Sequence, residues 1–376
     1  MQRGTGFKFS LVLLGSAFVY LNAGQAIEAS ILFNHPAVYD GSKLIRAGSI
    51  EKLDADGTRS TLVSGLDNPS GIALDTEGNL YYGNVGRTIL YHISSIYYTS
   101  MGFELFKRRP DGTVTSLGQV RDTPGSISIG GWGFDIAVGS SGEIYFNHPS
   151  VYNDSKLIRA GSIEKLDPDG TRHTLISGLD NPSGIAFDTE GNLYYGNVTS
   201  GSLSVSLFKR SPDGTMTSLG QVFDTSAGSV SISGWGFDIA VGSSGEIYFN
   251  HPSVYGDSKL IRSGSIEKLD PDGTRSTLVS GLDNPSGIAI DSEGNLYYGN
   301  VGRTGIYYTS SIYTGMGIEL FKLQSDGTVM NLGQVRDTPG SISIGGWGFD
   351  VAIPEPAAFM LLGWGGLTLL RRRRTD

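Results

Sequence analysis

A near-identical segment occurs three times in this chain of 376 residues. The copies begin at Phe33, Phe146 and Phe249, so successive copies are offset by 113 and 103 residues. This period exceeds one supersecondary unit, and each copy divides into two related halves, which begin near Ser70 and Gly133 in the first copy. Arrays of this kind fold as units that bury their apolar surfaces against their neighbours.

Each half predicts four short antiparallel strands. Val, Ile, Leu, Tyr and Phe fill the strand segments, and turn sequences such as DTEGN and PDGT separate them. Four strands in about 50 residues are typical of one propeller blade, so three copies predict six blades. The 55 glycines and the lack of helical periodicity agree with many tight turns.

The two ends of the array complement each other. The array starts at Ile31 with a second strand, ILFNHP, and ends over residues 346–353 with GWGFDVAI, which has the pattern of a first strand. A ring that takes its last innermost strand from the far terminus leaves no open sheet edge. The sequence therefore predicts an all-β, six-bladed propeller over residues 27–353, closed by that C-terminal strand, with two-blade repeats near 33–145, 146–248 and 249–353.

The N-terminal segment has the pattern of a secretory signal peptide. Arg3 and Lys8 precede an apolar stretch over residues 9–21, and Gly24 and Ala26 suit a cleavage site. The apolar stretch is shorter than the roughly 20 residues that span a bilayer. We expect residues 1–26 to be removed on export; a buried N-terminal strand is the alternative. The chain has no cysteine, so the core alone must hold the fold.

The C-terminal segment, residues 354–376, combines a Pro-Glu-Pro motif with a short apolar stretch and an arginine cluster. The motif and the cluster are Pro354, Glu355, Pro356, Arg371, Arg372, Arg373 and Arg374. An apolar helix ended by positive charges is a stop-transfer pattern, and this order of parts resembles the PEP-CTERM sorting signal. The resemblance implies a Gram-negative cell envelope and transient anchoring in the inner membrane by a C-terminal transmembrane helix. It also implies an exosortase-type processing protease and a final place at the cell surface or outside the cell.

The blade sequence carries a second resemblance. NPSGIALDTEGNLYYGN is similar to the signature of NHL-repeat propellers and of the gluconolactonase family. That family implies a metal-dependent lactonase or esterase, whose metal is held by unequal acidic and amide residues around the axis. One family ligand is the Asn of a Pro-Asn-Gly motif, and the matching residues here are Ser70, Ser183 and Ser286. Near-identical repeats also supply three equal sets of side chains, whereas catalysis needs different residues in different roles.

Charged and polar residues recur where the predicted strands approach the axis. They begin alternate innermost strands or end the second strands of the same blades: Asp135, Asp238 and Asp350, and His35, His148 and His251. Converging carboxylates repel one another unless a cation or protons intervene. Oxygen ligands alone suit Ca²⁺, and added imidazoles favour Zn²⁺ or a transition metal. The alternatives are structural: Asp at a strand entrance often hydrogen-bonds backbone amides of the next loop, and His-Pro after a strand simply ends it.

Aromatic residues mark the same predicted face. Each axial Asp follows a Trp-Gly-Phe segment, and inserts over 87–102 and 303–317 are rich in tyrosine. Trp and Tyr offer rigid amphipathic surfaces for sugars or proteins. The candidate ligand-binding residues are therefore Trp132, Trp235, Trp347, Tyr97, Tyr98, Tyr307 and Tyr308. A β-hairpin packed on its neighbour is the alternative for both inserts.

These features predict an exported, non-catalytic binding or structural module of the cell surface or extracellular matrix. Its outer face binds a glycan such as exopolysaccharide, a surface protein or a metal ion; a lactonase and a purely architectural protein are the alternatives. The chain carries 28 Lys and Arg against 37 Asp and Glu, and this acidic balance argues against nucleic acid as a partner. No triad, metalloprotease or nucleotide-loop motif occurs.

Overall fold

Six four-stranded antiparallel sheets form the body of the molecule over the residues that the structure describes. The computed structural model describes residues 30–35, 37–40, 43–92, 95–124, 128–129, 134–148, 150–153, 156–199, 204–223, 231–232, 237–251, 253–256, 259–303, 316–336, 343–344 and 349–354. The predicted signal peptide and the sorting signal beyond Pro354 lie outside these ranges. Within them, no helix is long and apolar enough to cross a membrane.

We number the blades 1 to 6 in chain order, and the strands of each blade from the axis outwards. Blade 1 contains Val351–Ala352, Ile31–His35, Gly48–Leu53 and Arg59–Leu66. Blade 2 contains Pro69–Leu74, Leu80–His92, Ser95–Arg108 and Val114–Pro124. Blade 3 contains Ile136–Val138, Ile144–His148, Gly161–Leu166 and Arg172–Leu179.

The remaining three blades repeat this arrangement. Blade 4 contains Asn181–Phe187, Leu193–Thr199, Ser204–Arg210 and Met216–Phe223. Blade 5 contains Ile239–Val241, Ile247–His251, Gly264–Leu269 and Arg275–Leu282. Blade 6 contains Pro285–Ile290, Leu296–Arg303, Met316–Leu323 and Val329–Arg336.

The blades form a closed ring. Their first strands contact one another in one unbroken cycle, from blade 1 through blade 6 and back to blade 1. Blade 1 takes its first strand from the C-terminal end and its other strands from the N-terminal end, with Phe33 paired to Val351 and Leu32 to Ala352. The predicted six-bladed propeller, closed by a C-terminal strand, is confirmed.

The apolar core lies between the blades rather than along the axis. Among the described residues it forms six clusters, one at each junction between neighbouring blades. Successive residues of a strand point to opposite faces of its sheet. Leu32 therefore packs in the junction of blades 1 and 2, while Phe33 packs in the junction of blades 6 and 1.

One glycine in each even-numbered blade is required by close packing. A Cβ atom on Gly83, Gly196 or Gly299 would lie 2.6, 2.5 or 2.4 Å from a ring carbon of the phenylalanine that enters the next blade. Real Cβ contacts are not this short. The small residue thus lets each ring lie flat over the second strand of the preceding blade.

The two faces of the ring differ. Tight turns between the first and second strands and between the third and fourth strands form one face, the turn face. On the opposite face, the hairpin face, a hairpin is inserted between the second and third strands of blades 1, 3 and 5. Each hairpin pairs with a two-residue strand from the segment that enters its blade. The three sheets are Val38–Asp40, Lys43–Arg46 and Ser343–Ile344; Val151–Asn153, Lys156–Arg159 and Ser128–Ile129; and Val254–Gly256, Lys259–Arg262 and Ser231–Ile232.

Both described ends of the chain lie on the turn face. Ile31 pairs with Leu53, which ends its strand at a tight turn, and Ala352 pairs with the neighbouring Leu32. Residues 1–29 and 355–376 therefore connect to the ring on the face opposite the hairpins.

Candidate functional site

The three predicted axial aspartates stand immediately before the first strands of blades 1, 3 and 5. Each carboxylate accepts the N–H of the next residue through Oδ1, at 2.7 to 2.8 Å. Through Oδ2 it accepts an N–H from the first strand of the following blade: Asp135 from Ile185 at 2.5 Å, Asp238 from Ile288 at 2.6 Å and Asp350 from Ile72 at 2.6 Å. Each aspartate therefore ties two blades together, through amides of the next residue and of the following blade's first strand rather than of the next loop.

The aspartates also affect one another electrostatically. Burial raises the pKa of Asp135 well above its usual value, and repulsion from Asp238 and Asp350 adds to the rise. Burial raises the pKa of Asp238 and Asp350 as well, against the effect of the backbone N–H groups that they accept. Burial thus favours the protonated form of all three carboxyl groups.

The three histidines do not join this set. They are at most 1 % exposed, and their rings face the third and fourth strands of their own blades. His148 Nε2 lies 2.7 Å from Arg172 Nη2 and 3.3 Å from Glu164 Oε1, and His251 has the same relation to Arg275 and Glu267, at 2.8 and 3.3 Å. His35 lies slightly farther from Arg59 and Glu51, at 3.4 and 3.5 Å.

These histidines belong to buried ion-pair networks. Burial alone would raise the pKa of Glu267, but hydrogen bonds and charge from His251 and Arg275 lower it to about 2. Glu51 has a pKa of about 2 for the same reasons. Burial lowers the pKa of His251 despite its contact with Glu267, so this histidine favours the neutral form. The imidazoles thus stabilise blade interiors.

Three asparagines that the sequence reasoning missed complete the junctions. Asn34, Asn147 and Asn250 directly precede the histidines and are fully buried. Each Oδ1 accepts the N–H of an axial aspartate at 2.7 Å. Each Nδ2 donates to a proline carbonyl of the following blade: Pro69, Pro182 or Pro285. The recurring Asn-His-Pro triplet is the sequence signal for these asparagines. Histidine is the member of the triplet whose chemistry predicts metal binding, so the triplet indicated the histidine rather than the asparagine.

The serines at the gluconolactonase-like ligand position also have hydrogen-bond partners. Ser70, Ser183 and Ser286 donate their hydroxyl groups to the carbonyls of Phe134, Phe237 and Phe349, at 2.8, 2.6 and 2.8 Å. They join blades 2 to 3, 4 to 5 and 6 to 1, whereas the Asp and Asn residues join blades 1 to 2, 3 to 4 and 5 to 6. The polar ring near the axis is therefore a set of six inter-blade connections of two alternating kinds.

The fit of a metal ion can be judged from these contacts. Over the described ranges, no group of three or more His, Asp or Glu side chains has the arrangement needed to hold a metal ion. The serines at the family's ligand position donate to carbonyls, and the histidines are paired with arginine and glutamate within the blades. The residues present do not fit a gluconolactonase-type metal centre.

The predicted aromatic surface is described only in part. The first insert is a continuous hairpin, because strands Leu80–His92 and Ser95–Arg108 pair along their length, with Ile89 opposite Tyr98 and Leu90 opposite Tyr97. The backbone of this insert is therefore a β-hairpin. Trp132, Trp235, Trp347, Tyr307 and Tyr308 lie outside the described residues.

Comparisons with known proteins give similarities to solved structures only. No protein-family model and no curated protein sequence matches the chain. A structure solved under the provisional description of a gluconolactonase is 17 % identical, with a TM-score of 0.44, and covers 73 % of this chain and 87 % of its own. A Lactobacillus plantarum protein is 14 % identical (TM-score 0.43; 86 % and 99 % covered). A luciferin-regenerating enzyme is 12 % identical (TM-score 0.43; 82 % and 94 % covered). Similarity of this degree carries no information about activity or ligand.

Proposed function

We propose that this chain is an exported, non-catalytic propeller of the cell surface or extracellular matrix, which binds a partner through its hairpin face. The observation that carries the proposal is a difference between two sets of repeated residues, the polar residues near the axis and the aliphatic residues of the hairpins. The polar residues near the axis are engaged in inter-blade bonds. The repeated aliphatic residues of the hairpins, in contrast, are about half exposed, and their place opposite both chain ends leaves them accessible on an anchored molecule.

Export and processing rest on the terminal sequences. Residues 1–26 would be removed as a signal peptide, and residues 354–376 would anchor the chain in the inner membrane until an exosortase-type protease acts. In a producing Gram-negative host, we expect a mature N-terminus at residue 27 and digestion of the propeller by protease added to intact cells. A full-length chain retained in the cytoplasm would contradict this part of the proposal.

The hairpins can be tested for partner binding directly. Replacing Leu157 and Ile158 with Ser, together with the equivalent pairs in blades 1 and 5, should release the protein from the washed cell-surface or matrix fraction. The control replaces Val114 and Val329, which are similarly exposed but lie on fourth strands, with Ser. Equal retention of both variants would refute binding through the hairpins.

The coupled carboxylates are the one observation that favours the lactonase alternative, because a cation would relieve their repulsion. Elemental analysis and thermal melting with Ca²⁺, Zn²⁺ or a chelator test it, together with a lactone hydrolysis assay. We expect no stoichiometric metal, no melting shift in chelator and no hydrolysis. A bound metal that is lost when Asp135, Asp238 and Asp350 are replaced with Asn would support the alternative.

A further inference from the structure

Exposed aliphatic side chains are concentrated at three equivalent places on the hairpin face. Of the eleven large apolar residues that are strongly exposed among those described, six belong to the KLIR strands of the hairpins. They are Leu44 and Ile45, Leu157 and Ile158, and Leu260 and Ile261, each 49 to 56 % exposed. Repeated apolar exposure on one face of a water-soluble domain indicates an interaction surface.

Each aliphatic pair is flanked by basic residues. Lysine precedes and arginine follows the pair in all three hairpins, and the side chains of Arg46, Lys156, Arg159 and Arg262 are exposed. Arg159 also lies 3.3 Å from His148 Nδ1, which restrains its side chain at the base of the hairpin. The hairpin face thus presents three apolar patches with positive edges.

The turn face carries the complementary features. A groove of about 700 Å³ lies at the junction of blades 2 and 3. Its apolar lining includes Leu74, Leu117, Val138, Ile144 and Leu166. The acidic residues along the same groove are Asp75, Glu77, Asp167 and Asp169. Lys107 lies 3.9 Å from Asp75 and Lys165 lies 2.7 Å from Asp167, so the acidic residues outnumber the lysines by four to two. The groove is therefore apolar at its base and negative at its edge.

The groove recurs at equivalent junctions. At the junction of blades 6 and 1, a smaller groove is lined by Ile31, Leu53 and Leu332, which match Ile144, Leu166 and Leu117 in the repeat. Its charged lining is mixed, with Asp54 beside Arg59 and Lys322. At the junction of blades 4 and 5, Leu219, Val241 and Leu269 are also only partly buried. They match Leu117, Val138 and Leu166 of the large groove. The turn face thus repeats the same apolar surface at alternate junctions.

One aspartate at an equivalent tight turn beside each of these junctions stays ionised over a wide pH range. The backbone N–H of Thr171 lowers the pKa of Asp169, and Asp56 and Asp272 accept the same kind of bond at the equivalent turns. All three carboxylates are exposed. They therefore stay ionised at neutral pH, where they can attract the lysines and arginines of a hairpin.

Hairpins and grooves occupy the same sectors of the ring. The hairpin of blade 3 pairs with Ser128–Ile129, which belongs to the segment that crosses from blade 2. It therefore lies over the junction of blades 2 and 3, the junction whose opposite end forms the large groove. The same relation holds for the hairpins of blades 5 and 1. A second ring placed on the first along the common axis brings its three hairpins over three junctions with partly buried apolar residues, two of which form grooves.

We infer that the partner of the hairpin face is the turn face of a second copy of this chain, so that copies stack head to tail along the propeller axis. The inference rests on the proposed function and names the partner of the same hairpins. Contact between unlike surfaces of identical chains closes into a ring only when successive rotations return to the start; a shift along the propeller axis never does, so it produces an open stack. Three simultaneous contacts raise the effective concentration of each hairpin at its groove.

Engineered cysteines test the stack, because the chain has no cysteine of its own. Ile158→Cys places a thiol on a hairpin, and Ser141→Cys places one at the groove of blades 2 and 3. In cells that export the full chain, the double variant should form a disulfide ladder of dimers, trimers and larger species on a non-reducing gel. Ile158→Cys combined with Thr174→Cys, on the outermost strand of blade 3, is the matched control and should not form a ladder.

The single variants distinguish other arrangements. A dimer from Ile158→Cys alone would show hairpin faces meeting each other, and no ladder from the double variant would show no stacking; either result overturns the inference. Vesicles that contain phosphatidylglycerol provide a further test. Flotation of the purified full chain with these vesicles, lost when the hairpin pairs are replaced with Ser, would assign the hairpins to a lipid surface instead.

Failure of the inference can be separated from failure of the proposed function. Ser141→Arg fills the groove and leaves the hairpins intact. If it abolishes the ladder formed by a hairpin cysteine and a second groove cysteine, Ser140→Cys, stacking depends on the groove as inferred. If no ladder forms in any variant but the hairpin substitutions still release the protein from the matrix, the hairpins bind a different molecule and only the stacking inference fails.

Discussion

The buried asparagines offer the sharpest test of how the blades are joined. In Asn147→Ala, the N–H of Asp135 and the carbonyl of Pro182 lose their hydrogen-bond partners in a site that is fully buried. Leaving a buried polar group unpaired costs about 1 to 3 kcal/mol, so two such groups predict a loss of about 4 kcal/mol in the free energy of unfolding. With an unfolding entropy of about 2 cal/mol/K per residue over about 325 residues, this loss lowers the melting temperature by roughly 6 °C.

The repeat supplies replicates of this experiment. Asn250→Ala should match Asn147→Ala, because both asparagines contact equivalent groups at similar distances. Asn34→Ala should cost the most, since Asn34 also holds Asp350 at the entrance of the closing strand. Thermal and denaturant unfolding measure the effects, and Asn331→Ala on an exposed fourth strand is the control. The reasoning would be refuted if the buried variants shifted the melting temperature no more than this control does.

Three further predictions concern packing and pH. Gly196→Ala should destabilise the protein by about 1 to 3 kcal/mol through overpacking against Phe237, and Phe237→Leu should recover part of the loss; additive effects in denaturant unfolding would contradict a clash. The lowered pKa of Glu267 contributes stability above its unfolded value of 4.5 that disappears as the pH falls through about 2. Glu267→Gln should therefore cost about 3 kcal/mol at pH 7 and flatten the stability profile between pH 5 and 2, whereas an unchanged slope would refute the assignment. The raised pKa of Asp238 contributes stability below its unfolded value of 3.8 that is lost as the pH rises through its folded value of about 6. Melting curves of Asp238→Asn should show a shallower decline from pH 4 to 7, and an equal decline would contradict the raised pKa of Asp238.

The architecture followed from the sequence because its determinants are local and repeated. Strand alternation and Asp-Gly turns predict the hairpins, and the complementary strands at residues 31–35 and 346–353 predict the closure. The sequence did not predict to which face of its sheet an individual polar side chain points. Asn147 and His148 are neighbours in one strand and so point to opposite faces of the sheet. A shift of one residue in orientation exchanges their roles, and the sequence alone does not say which face meets the next blade.

The surface residues show a similar limit. Leu157 and Ile158 are adjacent aliphatic residues in a strand, a pattern that normally indicates burial on at least one side. Their exposure depends on a hairpin that projects beyond the blade, which the sequence indicated only as a long loop. The acid-edged groove of blades 2 and 3 combines residues more than 90 positions apart, from Leu74 to Gly170, so only the folded ring brings it together.

The N-terminal and C-terminal strands of the ring meet within blade 1, and this arrangement determines how the number of repeats can change. Because the described ring begins and ends within blade 1, its two end segments contribute three strands and one strand to the same sheet. Insertion or loss of a whole two-blade repeat leaves the pairing of these end strands in blade 1 unchanged. Each repeat also brings one junction tied by Asp and Asn and one tied by Ser, so the alternation survives. Duplication can therefore lengthen or shorten such a chain without exposing a sheet edge, and the limit on ring size is the angle between blades.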